Sequence, residues 1–255
     1  MKSQIKIITV NYNNWPLTSK LLDSIFVHTS SNNVQVIVVN NGEINAPEII
    51  SKQVTVIKSS KNLGYGGALN LALSTLKASK DDYVFIINND CQIQSDYFFE
   101  KLITSKTDLT SPLIYDQVGG GRRYDCGGKI DRIFGRHTHS HSNLKPSQII
   151  YPDYISGVAM IAKKTVFDKV GLFDDKFFMY FEDVDWCLRA KRNGFSMSIQ
   201  VESILSHELS VSSSSKSKLS MLIKSHRYFT QKYSHLINPL GSFVYNAYLK
   251  LKLLI

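Results

Sequence analysis

Cysteine is scarce in this chain of 255 residues, and its few cysteines are scattered. The three are Cys91, Cys126 and Cys187, and none of them forms a C-x-x-C pair. An odd number of cysteines without paired spacing argues against a disulfide scaffold and against a structural zinc site. The sequence therefore predicts a protein of a reducing compartment, the cytoplasm.

Long hydrophobic runs are also missing. The first residues, MKSQIKIITVNYNN, contain an apolar run too short for a signal peptide, and no segment approaches the roughly 20 apolar residues of a membrane span. Hydrophobic residues nevertheless make up 43% of the chain, which is too many for a disordered protein. We expect one large α/β domain, alone or with a short extension.

Acidic residues are absent after Glu208, although the net charge of the chain is +9. Seven of these charges belong to the terminal segment, on Lys216, Lys218, Lys224, Arg227, Lys232, Lys250 and Lys252. Between these charges the apolar residues recur at near-helical spacing, as Leu219, Leu222, Ile223, Phe229, Tyr233 and Leu236. The pattern predicts a main domain over residues 1–210, then a Ser-rich linker and a basic amphipathic helical extension over residues 211–255.

Two locations are open for this extension. A basic amphipathic helix can lie on an anionic membrane surface, with its apolar side among the acyl chains. The same pattern also suits a helix that packs on the main domain or forms a homodimer interface.

Strand patterns alternate with helix patterns over the first 90 residues. The segments IKIITVNYNN, VQVIVVNNG, VTVIKSS and DDYVFIINND have the pattern of buried strands, whereas WPLTSKLLDSIFVHT and GGALNLALSTLKAS have helical spacing. This alternation predicts a largely parallel sheet with helices on both faces, which binds ligands beyond the carboxyl ends of its strands. Polar residues follow three of these strands, at Asn11, at Asn40-Asn41 and at Asn88-Asn89-Asp90.

The middle of the chain, residues 115–152, has weak periodicity and predicts an irregular excursion with short strands. Its segment HTHSH places His137, His139 and His141 at alternating positions, which on an extended chain share one face. These imidazoles could bind a transition metal, but we favour a solvated loop. Strand and helix patterns then return in YISGVAMIAKKTVFDKVGLF, EDVDWCLRAKRNGF and SMSIQVESILSH, which ends on His207.

Two short motifs each admit two interpretations. The glycine-rich turn KNLGYGGALN, residues 61–70, lacks the Lys-Ser/Thr of a phosphate-binding loop, so it is either a tight connection or a close approach to a nucleotide. Asn88-Asn89-Asp90 is either an ordinary turn or a site for Mg²⁺ or Mn²⁺ beside a diphosphate, because these hard cations prefer oxygen ligands.

Three acids, Glu182, Asp183 and Asp185, lie inside the aromatic run FFMYFEDVDW. The free N–H groups and the dipole of a helix N-terminus favour negative charge, which explains how acids persist among Phe and Tyr. Acidic residues are common at helix starts for this reason alone. One acid would be enough for that purpose, so three indicate a functional site.

Taken together, these segments resemble glycosyltransferase family 2, whose members are inverting enzymes. The resemblance implies a GT-A fold, a Rossmann-like mixed and mainly parallel sheet flanked by helices, here with the C-terminal helical extension. It covers about residues 4–210 and matches the bacterial rhamnosyltransferase and galactofuranosyltransferase-like branch. Its most specific block is GLFDDKFFMYFEDVDWCLR.

The resemblance implies a role for each matching position. The nucleotide sugar would be bound by Val10, Asn11, Tyr12, Asn40, Asn62, Gly66, Asn70, Asn88, Asn89 and Asp90. A Mg²⁺ or Mn²⁺ ion would be held by Asp90, His207 and Asn88. The catalytic base would be Asp183, with the acceptor bordered by Glu182, Trp186 and Gly157, while Asp185 would fix the helix start.

Two positions depart from the family pattern. Asn40 stands where the family often has an acid, so the resemblance does not specify which nucleotide base is bound. Asn88 replaces the first acid of the D-x-D metal motif and is a weaker ligand than a carboxylate, so we expect either a low metal affinity or a metal that arrives with the sugar nucleotide.

The implied activity is transfer of a hexose, rhamnose as the first choice, from a dTDP- or UDP-sugar to a lipid-linked glycan during surface polysaccharide synthesis, as in O-antigen or capsule. It would take place at the inner face of the plasma membrane. The alternatives are a galactofuranosyl or other UDP-hexosyl transferase and a catalytically inactive glycan-binding relative.

Two other classes fit less well. A nucleotidyltransferase would carry a basic glycine-rich loop after its first strand, where this chain has VNYNNWP. A nucleic-acid-binding protein would carry its positive charge in a groove with base-stacking aromatics rather than in an amphipathic tail.

Overall fold

The computed structural model describes residues 3–29, 34–47, 53–208 and 215–254. The predicted domain boundary between residues 210 and 211 and the first part of the Ser-rich linker lie outside the described residues. The strands are β1 (Ile5–Asn11), β2 (Val34–Asn40), β3 (Val54–Lys58), β4 (Tyr83–Ile87), β5 (Cys91–Ile93), β6 (Leu109–Val118), β7 (Gly121–Asp131), β8 (Arg136–Ser142), β9 (Ala159–Lys163) and β10 (Met197–His207). The helices are α1 (Trp15–Val27), α2 (Gly64–Thr75), α3 (Phe98–Ile103), α4 (Lys164–Val170), α5 (Glu182–Arg192), α6 (Ser215–Lys232) and α7 (Pro239–Leu254).

The described strands form one mixed sheet in the order β3-β2-β1-β4-β9-β6-β10-β5. Strands β3, β2, β1 and β4 are parallel to one another, and β6 is parallel to β10. Strand β9 joins these two groups because it runs antiparallel to both β4 and β6. The predicted α/β fold with a mixed sheet is confirmed, and its parallel pairing is confined to these two groups.

Alternating side chains of the strands build a core on each face of the sheet. In β1, Ile8 and Val10 pack in the cluster that includes α2 and α5, whereas Ile5 and Ile7 pack in the cluster that includes α1 and α3. This division follows from the period of two along a strand. Because both faces are covered by helices, the open edge at the carboxyl ends of β1, β2 and β4 is available for a ligand.

The middle segment is more regular than its sequence predicts. Strands β7 and β8 form an antiparallel hairpin that extends the sheet from the carboxyl half of β6. The prediction that this segment is irregular is therefore wrong. It failed because glycine and charged residues obscure the strand pattern here. Gly128 shows why a glycine is needed, since a Cβ there would lie 2.0 Å from the Tyr154 ring.

The preferred interpretation of HTHSH as a solvated loop is also wrong for two of its histidines. His137 Nδ1 lies 3.1 Å from the Tyr154 hydroxyl, and His139 Nδ1 lies 2.8 Å from Asp125 Oδ2. Burial alone would lower the pKa of His139, but its hydrogen bond to Asp125 outweighs burial and raises it. In the described residues, these histidines are not part of a candidate metal cluster.

Helix α6 packs on the main domain. Phe229 and Tyr233 are almost fully buried in the cluster that includes α5, and Ile223 is also buried. Three of the six apolar side chains that the sequence assigned to lipid contact are thus buried in the protein, whereas Leu219 and Leu222 of α6 and Leu236 after it are partly exposed. Burial of each large side chain contributes roughly 1.5–3 kcal/mol, so α6 is held firmly.

Helix α7 packs on α6 through one side only. Leu249 is buried, and Asn246 Nδ2 lies 2.7 Å from His226 Nδ1 of α6. The opposite side carries five exposed apolar residues: Leu240, Phe243, Val244, Tyr248 and Leu251. Among the helices of the described residues, none is long and apolar enough to span a membrane.

Candidate active site

A cavity of about 550 Å³ opens at the carboxyl ends of β1 and β4. Six of the residues predicted for the nucleotide sugar line it: Val10, Tyr12, Asn62, Asn88, Asn89 and Asp90. Ten residues to which the sequence assigned no role in the site also line it: Asn13, Asn14, Leu17, Asn41, Gly64, Tyr65, Phe178, Met179, Ser217 and Met221. The cavity is large enough for a nucleotide sugar, since ligand pockets typically measure roughly 300–1,000 Å³.

Asn41 shapes the wall of this cavity that precedes α2. Its side-chain amide donates to Asn62 Oδ1 at 3.0 Å and to the Gly64 carbonyl at 3.1 Å, and its Oδ1 accepts from Leu63 N at 2.9 Å. The glycine-rich turn is thereby tied to the end of β2. The sequence assigned a role to Asn40 instead, although neighbouring residues of an extended chain point to opposite sides.

Gly64 allows the turn to approach the segment before α5. It has a φ of 72°, and a Cβ there would lie 2.2 Å from the Phe178 carbonyl oxygen. The adjacent Tyr65 N donates to this oxygen at 3.0 Å. The close approach places Phe178 and Met179 on the cavity wall, although they follow Gly64 by more than 100 residues in the sequence.

Asp90, which lines the cavity, lies beside His207. Asp90 Oδ1 is 3.4 Å from His207 Nε2, and both side chains are largely buried. Strand β5 pairs with β10 so that Cys91 faces His207, which brings Asp90 next to the imidazole. Burial alone would lower the pKa of His207, but the contacts with Asp90 and Asp116 outweigh burial and raise it.

This pair has the spacing of two ligands of one divalent cation. Ligands about 2.1 Å from an ion at a right angle lie about 3 Å apart. Asn88 Oδ1, from the same strand end, is buried and has no hydrogen-bond partner among the described residues. Cys91 is also close, but burial raises the pKa of its thiol well above the ordinary value, which leaves it a poor ligand for a hard cation. The residues present therefore fit Mg²⁺ or Mn²⁺.

The three acids at the start of α5 have three different surroundings. Asp183 Oδ2 accepts from Gly157 N and its Oδ1 from Val184 N, each at 2.8 Å. Asp185 is fully buried and accepts from Arg189 Nε at 2.9 Å and from the Tyr233 hydroxyl at 2.8 Å. Asp185 therefore joins Tyr233, directly after α6, to α5 in addition to its predicted place in the first helical turn.

Glu182 is buried, and its Oε2 has no hydrogen-bond partner among the described residues. Burial, followed by the charge of Asp183, raises the pKa of Glu182 from 4.5 to about 8. The Glu182 side chain lies against Gly66, where an added Cβ would be 3.5 Å from Glu182 Cβ. Gly66 thus makes room for this acid and does not itself line the cavity.

The titration of Glu182 predicts a pH-dependent stability. Between pH 4.5 and about 8 the folded protein holds a proton that the unfolded chain releases, so this group's contribution is full below pH 4.5 and decreases as the pH rises. Glu182→Gln removes the ionisation. From pH 5 to 8 we expect the free energy of unfolding to fall by roughly 2–4 kcal/mol more for the wild type than for this variant.

Urea denaturation at both pH values measures this difference. Glu100→Gln, which alters an exposed acid on α3, is the matched control and is expected to follow the wild type. The same fall in stability for Glu182→Gln and the wild type would contradict the raised pKa.

Tyr65 connects the cavity to Asp183. Its hydroxyl donates to the Gly157 carbonyl at 2.8 Å, and Gly157 N donates in turn to Asp183. Burial, and then the charge of Glu182, raise the pKa of Tyr65, with Asp183 and Asp90 contributing in the same direction. Tyr65 is thus close enough to Asp90 and to the α5 acids Glu182 and Asp183 to be affected by the charge of each.

Four other predicted site residues are engaged in the protein instead of facing the cavity. Asn70 pairs with the Phe173 backbone through both its amide N and its oxygen, each at 2.8 Å. Trp186 is fully buried, and its Nε1 donates to the Gly171 carbonyl at 2.9 Å. Asn11 and Asn40 are also buried. In this structure Trp186 supports α5 from the core, which corrects its predicted position at the acceptor.

Comparisons with curated proteins identify two kinds of relative. Over 240 residues the chain is 25% identical to N-acetylglucosaminyl-diphospho-decaprenol L-rhamnosyltransferase of Mycobacterium tuberculosis, which covers 82% of this chain and 77% of the relative. Over 154 residues it is 25% identical to the low-salt glycan biosynthesis hexosyltransferase Agl10 of Haloferax volcanii. That match covers 55% of this chain, which spans about half, 47%, of the Agl10 length.

A comparison with solved structures supports the fold. A crystal structure of GalNAc-T7 with UDP, GalNAc and Mn²⁺ superimposes with a TM-score of 0.71 at 13% sequence identity. The superposition covers 90% of this chain and 48% of that one, which shows a GT-A-like fold. The sequence profile named Glycosyl transferase family 2 matches residues 6–188, more than half of the chain. The chain therefore belongs to glycosyl transferase family 2.

Proposed function

We propose that this chain is an inverting, metal-dependent glycosyltransferase that moves a hexose from a nucleotide sugar to a hydroxyl group of a lipid-linked glycan. The observation that carries the proposal is that Asp90 and Tyr65 both line a cavity of nucleotide-sugar size, and that Tyr65 is hydrogen-bonded to Gly157, which in turn is hydrogen-bonded to Asp183. His207 lies beside Asp90, with 3.4 Å between Asp90 Oδ1 and His207 Nε2.

Asp183 is the catalytic base in this proposal. Two backbone N–H groups hold its carboxylate, one on each oxygen, so that its orientation is set before the substrate binds. As the acceptor oxygen forms a bond to the anomeric carbon, the bond from this carbon to the diphosphate breaks and the hydroxyl proton passes to Asp183. A single displacement of this kind inverts the anomeric configuration.

Asp90, His207 and Asn88 hold Mg²⁺ or Mn²⁺ in this proposal. When bound, such an ion supplies positive charge that neutralises the leaving diphosphate. Asn62, Asn89 and the backbone around Val10 bind the nucleotide, while Glu182 and Gly157 border the acceptor. Glu182 is protonated at neutral pH because of its raised pKa, so it is able to donate a hydrogen bond to an acceptor oxygen.

The first choice of donor is dTDP-rhamnose, and a UDP-hexose is the second. The mycobacterial relative is named for rhamnose transfer to a diphospho-decaprenol-linked sugar, which favours rhamnose and a lipid-linked acceptor. The Haloferax relative is named only as a hexosyltransferase, and the solved structure contains UDP. An inactive glycan-binding relative remains the second candidate because Asn88 replaces an acid.

A panel of dTDP- and UDP-sugars tests the proposal. The purified chain is incubated with each sugar nucleotide, Mn²⁺ and a polyprenyl-diphosphate-linked sugar, and the released dTDP or UDP is measured. We expect release from one donor that depends on the acceptor. Binding of a glycan without release from any donor would favour the glycan-binding relative instead.

We also propose that the chain acts at the inner face of the plasma membrane, with α7 on an anionic lipid surface. The exposed residues of α7, from Leu240 to Leu251, recur at positions separated by three or four residues and form one side of the helix. Lys250 and Lys252 are exposed near its end, and no acid follows Glu208 to repel lipid phosphates. Apolar insertion and charge attraction therefore act together.

Phe243→Ser combined with Leu251→Ser is expected to reduce co-sedimentation with anionic vesicles roughly tenfold or more, because two large side chains no longer enter the lipid. Higher salt is expected to weaken binding of the wild type. Truncation before α6 is unsuitable because it removes the buried Phe229 and Tyr233.

Leu144→Ser is the matched control, since Leu144 is an exposed apolar residue of the segment after β8 and not of α7. Equal sedimentation of the wild type and the α7 variant at low salt would contradict the membrane surface. A dimer mass in light scattering that the α7 variant reduces to a monomer would assign this side of α7 to a homodimer instead.

A further inference from the structure

Asp116 lies on the side of the His207 imidazole that is remote from Asp90. Its Oδ1 is 3.1 Å from His207 Nδ1, whereas Asp90 Oδ1 is 3.4 Å from His207 Nε2. The side chains of Asp116 and His207 are largely buried, at 13% and 15% exposed. The imidazole is thus contacted by one carboxylate at each nitrogen.

Arg123 holds Asp116 from the next strand. Its guanidinium lies 3.1 Å from Asp116 Oδ2, the oxygen that His207 does not use. One carboxylate oxygen of Asp116 therefore contacts the arginine guanidinium, and the other contacts the imidazole. This arrangement restricts the rotation of the carboxylate and leaves Oδ1 directed at Nδ1.

The sheet register explains why these side chains meet. Strand β6 pairs with β10 so that Tyr115 faces Ser206, which brings Asp116 beside His207. Strand β6 pairs on its other side with β7, where Asp116 faces Arg123. The row crosses adjacent strands of one sheet, so its geometry is set by backbone pairing.

We propose that Asp116 is a positioning residue that prepares His207 to bind a divalent cation. With its Nδ1 proton directed to Asp116, the neutral imidazole has its Nε2 lone pair on the side of Asp90. Histidines that bind metals commonly give their other N–H to a carboxylate, which fixes the tautomer and the ring orientation and makes the ligand nitrogen more basic. Arg123 contributes indirectly by fixing Asp116.

This role rests on the proposed metal site. It differs from that of a merely structural ion pair because it affects metal affinity and not only stability. A structural pair contributes to the stability of the sheet and leaves metal affinity unchanged. A positioning residue changes the affinity of His207 for the ion even where stability is preserved. Metal affinity and folding stability are therefore measured separately.

Titration of the apo protein with Mn²⁺, followed by electron paramagnetic resonance, is the test. Asp116→Asn retains the shape of the side chain but removes its charge, and we expect Mn²⁺ affinity to fall about 10- to 100-fold. Arg123→Gln leaves the carboxylate in place and is expected to give a smaller loss in the same direction. Pulsed measurements on bound Mn²⁺ are expected to show an imidazole nitrogen that is absent in His207→Ala and weakened in Asp116→Asn.

Asp125→Asn is the matched control, because Asp125 makes a similar carboxylate–imidazole contact with His139 at 2.8 Å in the hairpin of β7 and β8. Its Mn²⁺ affinity is expected to remain within about twofold of the wild type. Unchanged affinity and an unchanged imidazole signal in both Asp116→Asn and Arg123→Gln would overturn the positioning role. No Mn²⁺ binding by the wild type would overturn it as well, whereas glycosyl transfer in excess chelator would leave the transferase proposal standing without the metal.

Discussion

Asp183→Asn is expected to lower the rate of glycosyl transfer by a factor of about 10²–10⁴, the range attributed to general-base assistance. The amide has nearly the shape of the carboxylate but is unable to accept the proton of the acceptor hydroxyl. Donor binding should change little, because Asp183 is not among the residues that line the cavity. The measurement is the turnover of the best donor at saturating acceptor, together with the donor Kd.

The variant also has a small cost in stability. Asp183 accepts one backbone N–H on each oxygen, and an asparagine has only one oxygen with which to replace them. Loss of one such hydrogen bond costs about 1 kcal/mol, which a folded domain tolerates. Asp168→Asn, at a partly exposed acid paired with Lys164 on α4, is the matched control. Activity of Asp183→Asn within a few-fold of wild type would remove Asp183 from the role of base.

Excess chelator is expected to reduce transfer at least tenfold, and Mn²⁺ or Mg²⁺ to restore it. Without a cation the leaving diphosphate lacks the charge that Asp90 and His207 would hold beside it. Asp90→Ala and His207→Ala should each weaken donor binding, since both groups contribute to one site at 3.4 Å separation. Calorimetric titration with the donor, with and without Mn²⁺, measures the loss.

Asp96→Ala provides the control for these substitutions. Its side chain is 87% exposed and lies beyond the short strand that follows Asp90. Donor affinity of this variant should match the wild type and retain its dependence on Mn²⁺. Full activity of the wild type in excess chelator would show that the reaction requires no divalent cation.

Local pattern was sufficient to predict much of the first half of the fold. The segment DDYVFIINND was predicted as a strand that ends in polar residues, and β4 forms within it, while Asn88, Asn89 and Asp90 line the cavity. This succeeded because parallel strands with helical connections bring their carboxyl ends to one edge, so a short segment is informative about its location. The start of α5 at Glu182 was predicted for a similar reason, from its acidic first turn.

Sequence pattern fails where a role depends on distant partners. Asp116 and His207 are 91 residues apart, and only the pairing of β6 with β10 brings them together. Trp186 lies next to the acids of α5 along the chain, but its side chain turns into the core beside Phe167 and Phe173. Periodicity shows that a helix has an apolar side without showing which protein surface covers it.

The terminal segment illustrates the same limit. From sequence, α6 is a basic helix with no acid nearby, which favours a lipid surface. In the structure Lys232 lies 2.6 Å from both Asp174 and Asp185, so the compensating acids come from the main domain. The apolar side of α7 has no such cover among the described residues, and for that reason the membrane proposal now rests on α7.

The measurement that tests the central claim most directly is the anomeric configuration of the product. The donor found in the nucleotide-sugar panel is incubated with its acceptor, and the glycoside formed is analysed by NMR spectroscopy. A single displacement assisted by Asp183 predicts a configuration opposite to that of the donor, and far slower formation of this product by Asp183→Asn. A product that retains the donor configuration would contradict the account.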